Sequence, residues 1–313
     1  MSPETLLAVA VLGANAVNDL LYRKASVGAD RKHIYAFYLS AAGASAIIAL
    51  GLGGISREGW PIAGNMQGML TSLFYGILAG VLSCTAYLFF LLSFTGRNTA
   101  VTATIYRMNM VPGILLAILF LGETPGIGRI IAILLCVAGI LYFCGPLKGK
   151  AQPLVPTTPA VCDEESTMTA EAAKAAKTAK TGILYSVAAF LSAGVLNFIL
   201  KLAAVAGVPS FHLLFWRFFT VAAIVLVIMI IRRMPLSAGR HTGLAILSGL
   251  VLMTGVWCML RAFRTGDVSA LLPITQMSFI PVALFSRILL KEPLSRRIIP
   301  GMAAAMLILW LAG

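Results

Sequence analysis

One stretch of this chain occurs twice, and that repeat limits the fold more than any other feature. The first copy runs from Val101 to Pro125 and the second from Ala270 to Leu294. Adding 169 to a residue number carries one copy onto the other: Met108 falls on Met277, Pro112 on Pro281 and Glu123 on Glu292. Each copy is a long apolar run with a proline near its middle and a glutamate just past its end. Self-similarity on this scale points to one structural unit built twice.

The medium in which that unit folds follows from composition. Hydrophobic residues make up 59% of the chain and charged residues 11%, with a mean hydropathy of +0.94. A soluble domain is roughly 25% charged. Uncharged runs of about twenty residues recur along the chain, each long enough to cross a ~30 Å hydrocarbon core as a helix. Barrel strands would alternate over ~10 residues, which this sequence does not do. The reading is an all-α integral membrane protein. Its net charge of +13 is gathered in short loops, as the positive-inside rule requires, so no nucleic acid is expected as a partner. Cys84, Cys136, Cys144 and Cys258 lie in or at the end of apolar runs, and with Cys162 they show no metal-ligand spacing. They read as small packing residues. Leu6 to Ala16 faintly resembles a signal peptide, but the basic segment that should precede it is missing. The expectation is an uncleaved first helix.

Ten transmembrane helices are expected: roughly 6–22, 34–54, 68–94, 99–121, 127–143, 182–204, 211–231, 243–263, 268–290 and 298–311. The long polar segment 148–181 divides residues 1–147 from residues 182–313, five spans in each. Its prolines at 153, 156 and 159 favour an extended start. Its Ala-, Lys- and Glu-rich part, 170–180, has helix-forming composition and suits either an anionic membrane surface or a solvated linker. From the third span to the fifth the halves align with the shift of 169, pairing Gly80 with Gly249, Thr85 with Thr254 and Phe94 with Phe263. The first spans align with a shift of 179, pairing Asn18 with Asn197. Because five is odd, the second half enters the membrane from the opposite side. The two five-helix units are therefore expected as inverted repeats. Loop charge agrees. Arg23, Lys24, Arg31 and Lys32 follow the first span, while the equivalent loop of the second half, 204–210, carries none. Summed by side, Lys and Arg place the linker in the cytoplasm and both ends of the chain outside.

These residues resemble a known family. The run from Ala262 to Ala270, the proline at 281 and the run Leu290-Lys-Glu-Pro-Leu294 look like the EamA-type repeat of the drug/metabolite transporter superfamily. Leu121 to Pro125 gives a weaker match in the first half. Phe215-Trp-Arg-Phe218 is similar to the aromatic–arginine pattern of that repeat's second helix; the first half has Phe37-Tyr38-Leu39 there and lacks the arginine. The resemblance implies a secondary transporter of small organic molecules in the plasma (cytoplasmic, or inner) membrane, with ten helices around a central cavity. Export is part of that implication.

A transporter must hold polar groups at mid-depth. A central arginine costs ~2.5–3.5 kcal/mol on insertion scales and so faces protein or water. Arg107 and Arg217 are the deepest charges, at most roughly 12 Å into their spans. Lys201, Asp19, Arg261 and Arg287 lie nearer span ends, where long side chains reach the interface. Asn15, Asn18 and Tyr22 share one helix face, and Asn197 sits at the equivalent place in the second half. Tyr106 and Asn109 form a stripe whose counterparts are Thr275 and Ser278, beside Gln276. The expected substrate-binding set is Arg217, Trp216, Asn18, Asn197, Tyr106, Arg107, Asn109, Thr275, Gln276 and Ser278. Interhelical hydrogen bonding alone would account for any one of these pairs. Pro112 and Pro281 remove backbone donors, which frees the carbonyls of Met108 and Met277 and makes these prolines candidate hinges. Asp19 is the acidic residue inside a span and the proton-coupling candidate. Glu123 and Glu292 precede the next helix of each half, where acid complements a helix dipole, and read as structural.

The function classes narrow accordingly. No P-loop is present, no cofactor is expected, and no carboxylate pair or nucleophile–base constellation lies at mid-depth, so an enzyme is not expected. The reading is a secondary active transporter for an amino acid-like, anionic or zwitterionic solute, or a drug, coupled to an ion gradient, with the proton as the expected ion. A non-transporting membrane scaffold or receptor is the alternative. The expected partners are thus a small-molecule substrate, a coupling ion and the lipid bilayer.

Overall fold

The computed structural model describes residues 2–26, 31–55, 66–93, 106, 108–144, 164–236, 239–278, 281 and 307. Among them every regular element is a helix. In chain order these are α1 (Pro3–Ser26), α2 (Arg31–Ile55), α3 (Met66–Ser93), α4 (Met110–Leu121), α5 (Ile127–Cys144), α6 (Glu164–Val205), α7 (Ser210–Ile231), α8 (Thr242–Thr265) and α9 (Val268–Gln276), with a 3-10 turn at Gly239–His241. Six of them are long and apolar enough to cross a membrane: α1, α2, α3, α7, α8 and the Leu184–Val205 part of α6. With the bilayer core offering no water to backbone groups, a chain this apolar satisfies them within helices.

The first, second, third, seventh and eighth expected spans each coincide with a helix, and Ile127–Phe143 falls within α5. Of the fourth span, 99–105 and Arg107 lie outside the described residues; of the ninth and tenth, so do 279–280, 282–290, 298–306 and 308–311. The 170–180 stretch is helical as expected, but as the start of α6 and continuous with a span. At 42 residues that helix is about 63 Å long, roughly twice the hydrocarbon core. Its polar first half therefore extends beyond the apolar layer.

Small residues let the helices approach. Ala36, Ala41, Ala49, Ala79, Ala117, Ala189, Ala203, Ala245 and Ala262 are fully buried at helix contacts, as expected where close van der Waals packing drives association. Two glycines at matched places mark close crossings. At Gly80 on α3 an added methyl would sit 2.8 Å from the Arg217 carbonyl oxygen of α7. Gly249 on α8, the residue 169 further on, meets α2 in the same way, against the Ala41 carbonyl and Ser45. Ser45 Oγ lies 2.8 Å from the Gly249 carbonyl and 2.9 Å from its own Ala41 carbonyl. Other large apolar side chains point outward: Leu119 is 74% exposed and Phe120 71%. A face of that kind is stable against lipid and a liability in water.

The helices pack in matched pairs. α1 lies on α8 and α3 on α6; α4 lies on α6 and α1 on α9; α3 lies on α7 and α2 on α8; α2 and α7 pack on each other. This interleaving of the chain's first and second parts sets the location of every polar group described next.

Candidate functional site

A buried charge lies on α7. Arg217 is 7% exposed, and its Nε donates to Ser83 Oγ of α3 at 2.9 Å. Its guanidinium stands 5.3 Å from the Phe218 ring centre. Nη1 is buried and makes no hydrogen bond among the described residues. The hydroxyls of Tyr38 on α2 and of Tyr106 are its electrostatic neighbours. Aromatic rings surround this point: Tyr38 stacks on Tyr87 at 4.0 Å, Tyr22 tilts against Tyr87 at 5.3 Å, and Tyr106 stacks on Phe90 at 4.1 Å. Tyr22 Oη is buried, with the side chains of Tyr87 and Ser248 as its polar neighbours. Trp216 does not face the guanidinium. Its ring meets Phe215 and Phe219 and its Cβ lies over Gly76, because neighbouring residues on a helix point about 100° apart. The aromatic ring beside Arg217 is Phe218.

A second polar group forms where α4, α6 and α9 meet. Asn109 Oδ1 accepts from Gln276 Nε2 at 3.1 Å and from Asn197 Nδ2 at 3.4 Å. Three of the expected binding residues are thus drawn together from 88 to 167 positions apart. Tyr106 connects the two groups, since its carbonyl accepts the Asn109 amide at 3.1 Å. Thr275 and Ser278 are buried nearby on or just after α9, with Thr275 Oγ1 donating to the Leu272 carbonyl at 2.9 Å.

Both proline-containing runs are interrupted at equivalent places. Residues 108–109 form a turn before α4, and residues 277–278, their counterparts 169 further on, form a turn after α9. Pro112 therefore stands in the first turn of α4, where proline is tolerated, and packs against Gly194 of α6. The expectation that it frees the Met108 carbonyl is corrected: that oxygen accepts the Val111 amide at 2.9 Å, the tighter i to i+3 bond that closes a turn. Pro281 is helical, and its counterpart role falls mostly on residues outside the described set. Pro273 lies inside α9, which runs on through it from Val268 to Gln276.

On α1, Asn18 Oδ1 accepts from Ser248 Oγ of α8 at 2.6 Å. Asp19 is half-buried one residue on, and its charge acts on Tyr22. Arg107 lies outside the described residues.

At one end of the bundle two charged residues hold backbone groups. Lys201 is 7% exposed; its Nζ donates to the Phe263 carbonyl at 2.9 Å and the Gly266 carbonyl at 2.7 Å. It caps the end of α8 and does not snorkel. Glu123 Oε1 and Oε2 accept the amides of Val268 at 2.9 Å and Ser269 at 3.1 Å. The expectation of a glutamate at a helix N-terminus holds, but the helix is α9 and not α5, the next in sequence. The packing of α9 on α4 brings it there.

Ser83, Tyr38 and Tyr87 did not emerge from the sequence. Ser83 had no signal: the residue 169 further on is Leu252. Tyr38 had one. It is the counterpart of Arg217 under the shift of 179, and α2 and α7 pack together.

Residues 180–313 match the model of the EamA-like transporter family, and that part of the chain carries a domain of this family. No curated protein matches the sequence. A solved crystal structure, described only as that of a protein, superposes with a TM-score of 0.71 at 15% sequence identity, covering 99% of this chain and 96% of the other. At that identity the likeness is one of fold alone.

Proposed function

From the EamA-like domain at residues 180–313, which suggests a membrane transporter of small solutes, we propose a secondary active transporter with a solute site between two inverted five-helix units. The matched helix pairs support this arrangement, as do the interruptions at 108–109 and 277–278. Discontinuous helices at a repeat interface are where such transporters bind solutes.

The observation that carries the reading is the buried guanidinium of Arg217, one nitrogen of which has no hydrogen bond among the described residues. A buried charge is retained when something pairs with it. A solute carboxylate or other anionic group fits Nη1, and the phenols of Tyr38 and Tyr106 stand close enough to contribute. The amides of Asn109, Asn197 and Gln276 then receive the uncharged polar part. Asp19 on α1 is the proposed proton carrier, and export the proposed direction.

Purified protein in proteoliposomes tests this. With an imposed pH gradient and no ATP, labelled anionic or zwitterionic solutes should accumulate above equilibrium. A scaffold or receptor would bind without accumulation, and absence of both binding and accumulation across such a panel would sink the transporter reading.

A further inference from the structure

We propose that Glu123 is a latch that closes one end of the bundle, and that this end opens when its carboxylate leaves the α9 amides. The inference rests on the transporter reading for its purpose and on geometry for its substance.

The carboxylate is carried on a short strap. Residues 122–126 between α4 and α5 adopt no helix. Gly122 holds φ +66°, the left-handed region, where a side chain would be strained. An added methyl at Gly122 or Gly126 would meet nothing within 4 Å. The strap can therefore turn without unwinding α4 or α5.

The receiving side is held still. Lys201 grips the carbonyls of Phe263 and Gly266, and Arg264 Nη2 donates to the Val208 carbonyl at 3.1 Å and Ser210 Oγ at 3.2 Å. These bonds fix the α8–α9 corner against the α6–α7 loop and leave the first two amides of α9 facing the strap. Glu123 takes both. Bonds to an ionised carboxylate are about twice as strong as neutral ones, and the positive end of α9 adds to them. The Glu123 and Asp267 charges also lie close enough to act on the Lys201 ammonium. The tie joins the end of one interrupted run to the start of the other, so releasing it frees both runs at once.

Thiol labelling tests the latch without a solute. In a chain whose native cysteines are replaced by alanine, Ala270→Cys places a thiol just past the capped turn, at a position now 8% exposed. Labelled in detergent with a polar maleimide, it should react slowly, and Glu123→Gln should speed it at least fivefold. As a second measurement, Glu123→Cys with Ser269→Cys should stop solute exchange when bridged by a cleavable bifunctional thiol reagent, and cleavage should restore it. Labelling within twofold of the parent in a normally inserted Glu123→Gln protein, or a bridged protein that still exchanges solute, overturns the latch. Faster labelling in a protein that moves no solute keeps the latch and removes the transport reading instead.

Discussion

Arg217 of α7 donates through Nε to Ser83 Oγ of α3 at 2.9 Å, so a hydroxyl from the first half of the chain sets the roll of a buried charge in the second. The same two helices cross at Gly80, whose place for a Cβ lies 2.8 Å from the Arg217 carbonyl oxygen. Close crossing and charge placement are one arrangement: a larger residue at 80 would move the arginine.

Arg217→Gln is expected to insert normally and to weaken solute binding by at least about tenfold, since a hydrogen bond to a charged group is worth roughly 1.5–3 kcal/mol and 1.4 kcal/mol is about tenfold. Arg217→Lys should recover part of the loss, because lysine keeps the charge without the planar fork. Equilibrium binding to purified variants measures both. A glutamine variant that binds and transports like the parent makes Arg217 structural and moves the site to Asn18, Tyr106 and Asn197.

Ser83→Ala should weaken binding by less than Arg217→Gln and leave thermal stability nearly unchanged. Hydrogen bonds between membrane helices average about 0.6 kcal/mol, too little to unfold the bundle but enough to loosen the guanidinium. Comparing the binding constant with the melting temperature separates the two effects.

Gly80→Leu should lower the melting temperature sharply or prevent folding, because the added atoms meet Thr220 and the α7 backbone. Gly43→Ala serves as the control. Nothing lies within 4 Å of its Cβ position, and alanine in a helix is favoured over glycine by roughly 0.5–1 kcal/mol. Equal behaviour of the two variants in a thermal melt would contradict the packing described for α3 and α7.

Asp19→Asn should abolish gradient-driven accumulation while sparing solute exchange, if its carboxyl carries the coupled proton. Proteoliposome uptake measured across pH decides this: an unchanged pH dependence in the variant removes Asp19 from coupling.

Membrane orientation follows from loop charge. A reporter that fluoresces only in the cytoplasm, fused after Gly313, should stay dark, and one inserted at 150–160 should be bright. The opposite pattern reverses the assignment.

The sequence by itself determined the helical membrane class, since apolar runs of this length leave few other ways to satisfy the backbone. It also determined where most described helices lie, and that polarity recurs at matched places such as Asn18 and Asn197. Residues 180–313 were recognisable as EamA-like from their own motifs. Periodicity and composition are local properties, and these conclusions needed nothing more. Only the tertiary structure decided who meets whom. It joined Asn109 to Gln276 and Asn197, set Ser83 and Tyr38 by Arg217, turned Trp216 toward Gly76, and sent Glu123 to α9 in place of α5. Each of these depends on which helix packs on which and on the roll of each helix about its axis. Both are fixed by contacts between residues far apart in the chain, which a reading along the sequence does not contain.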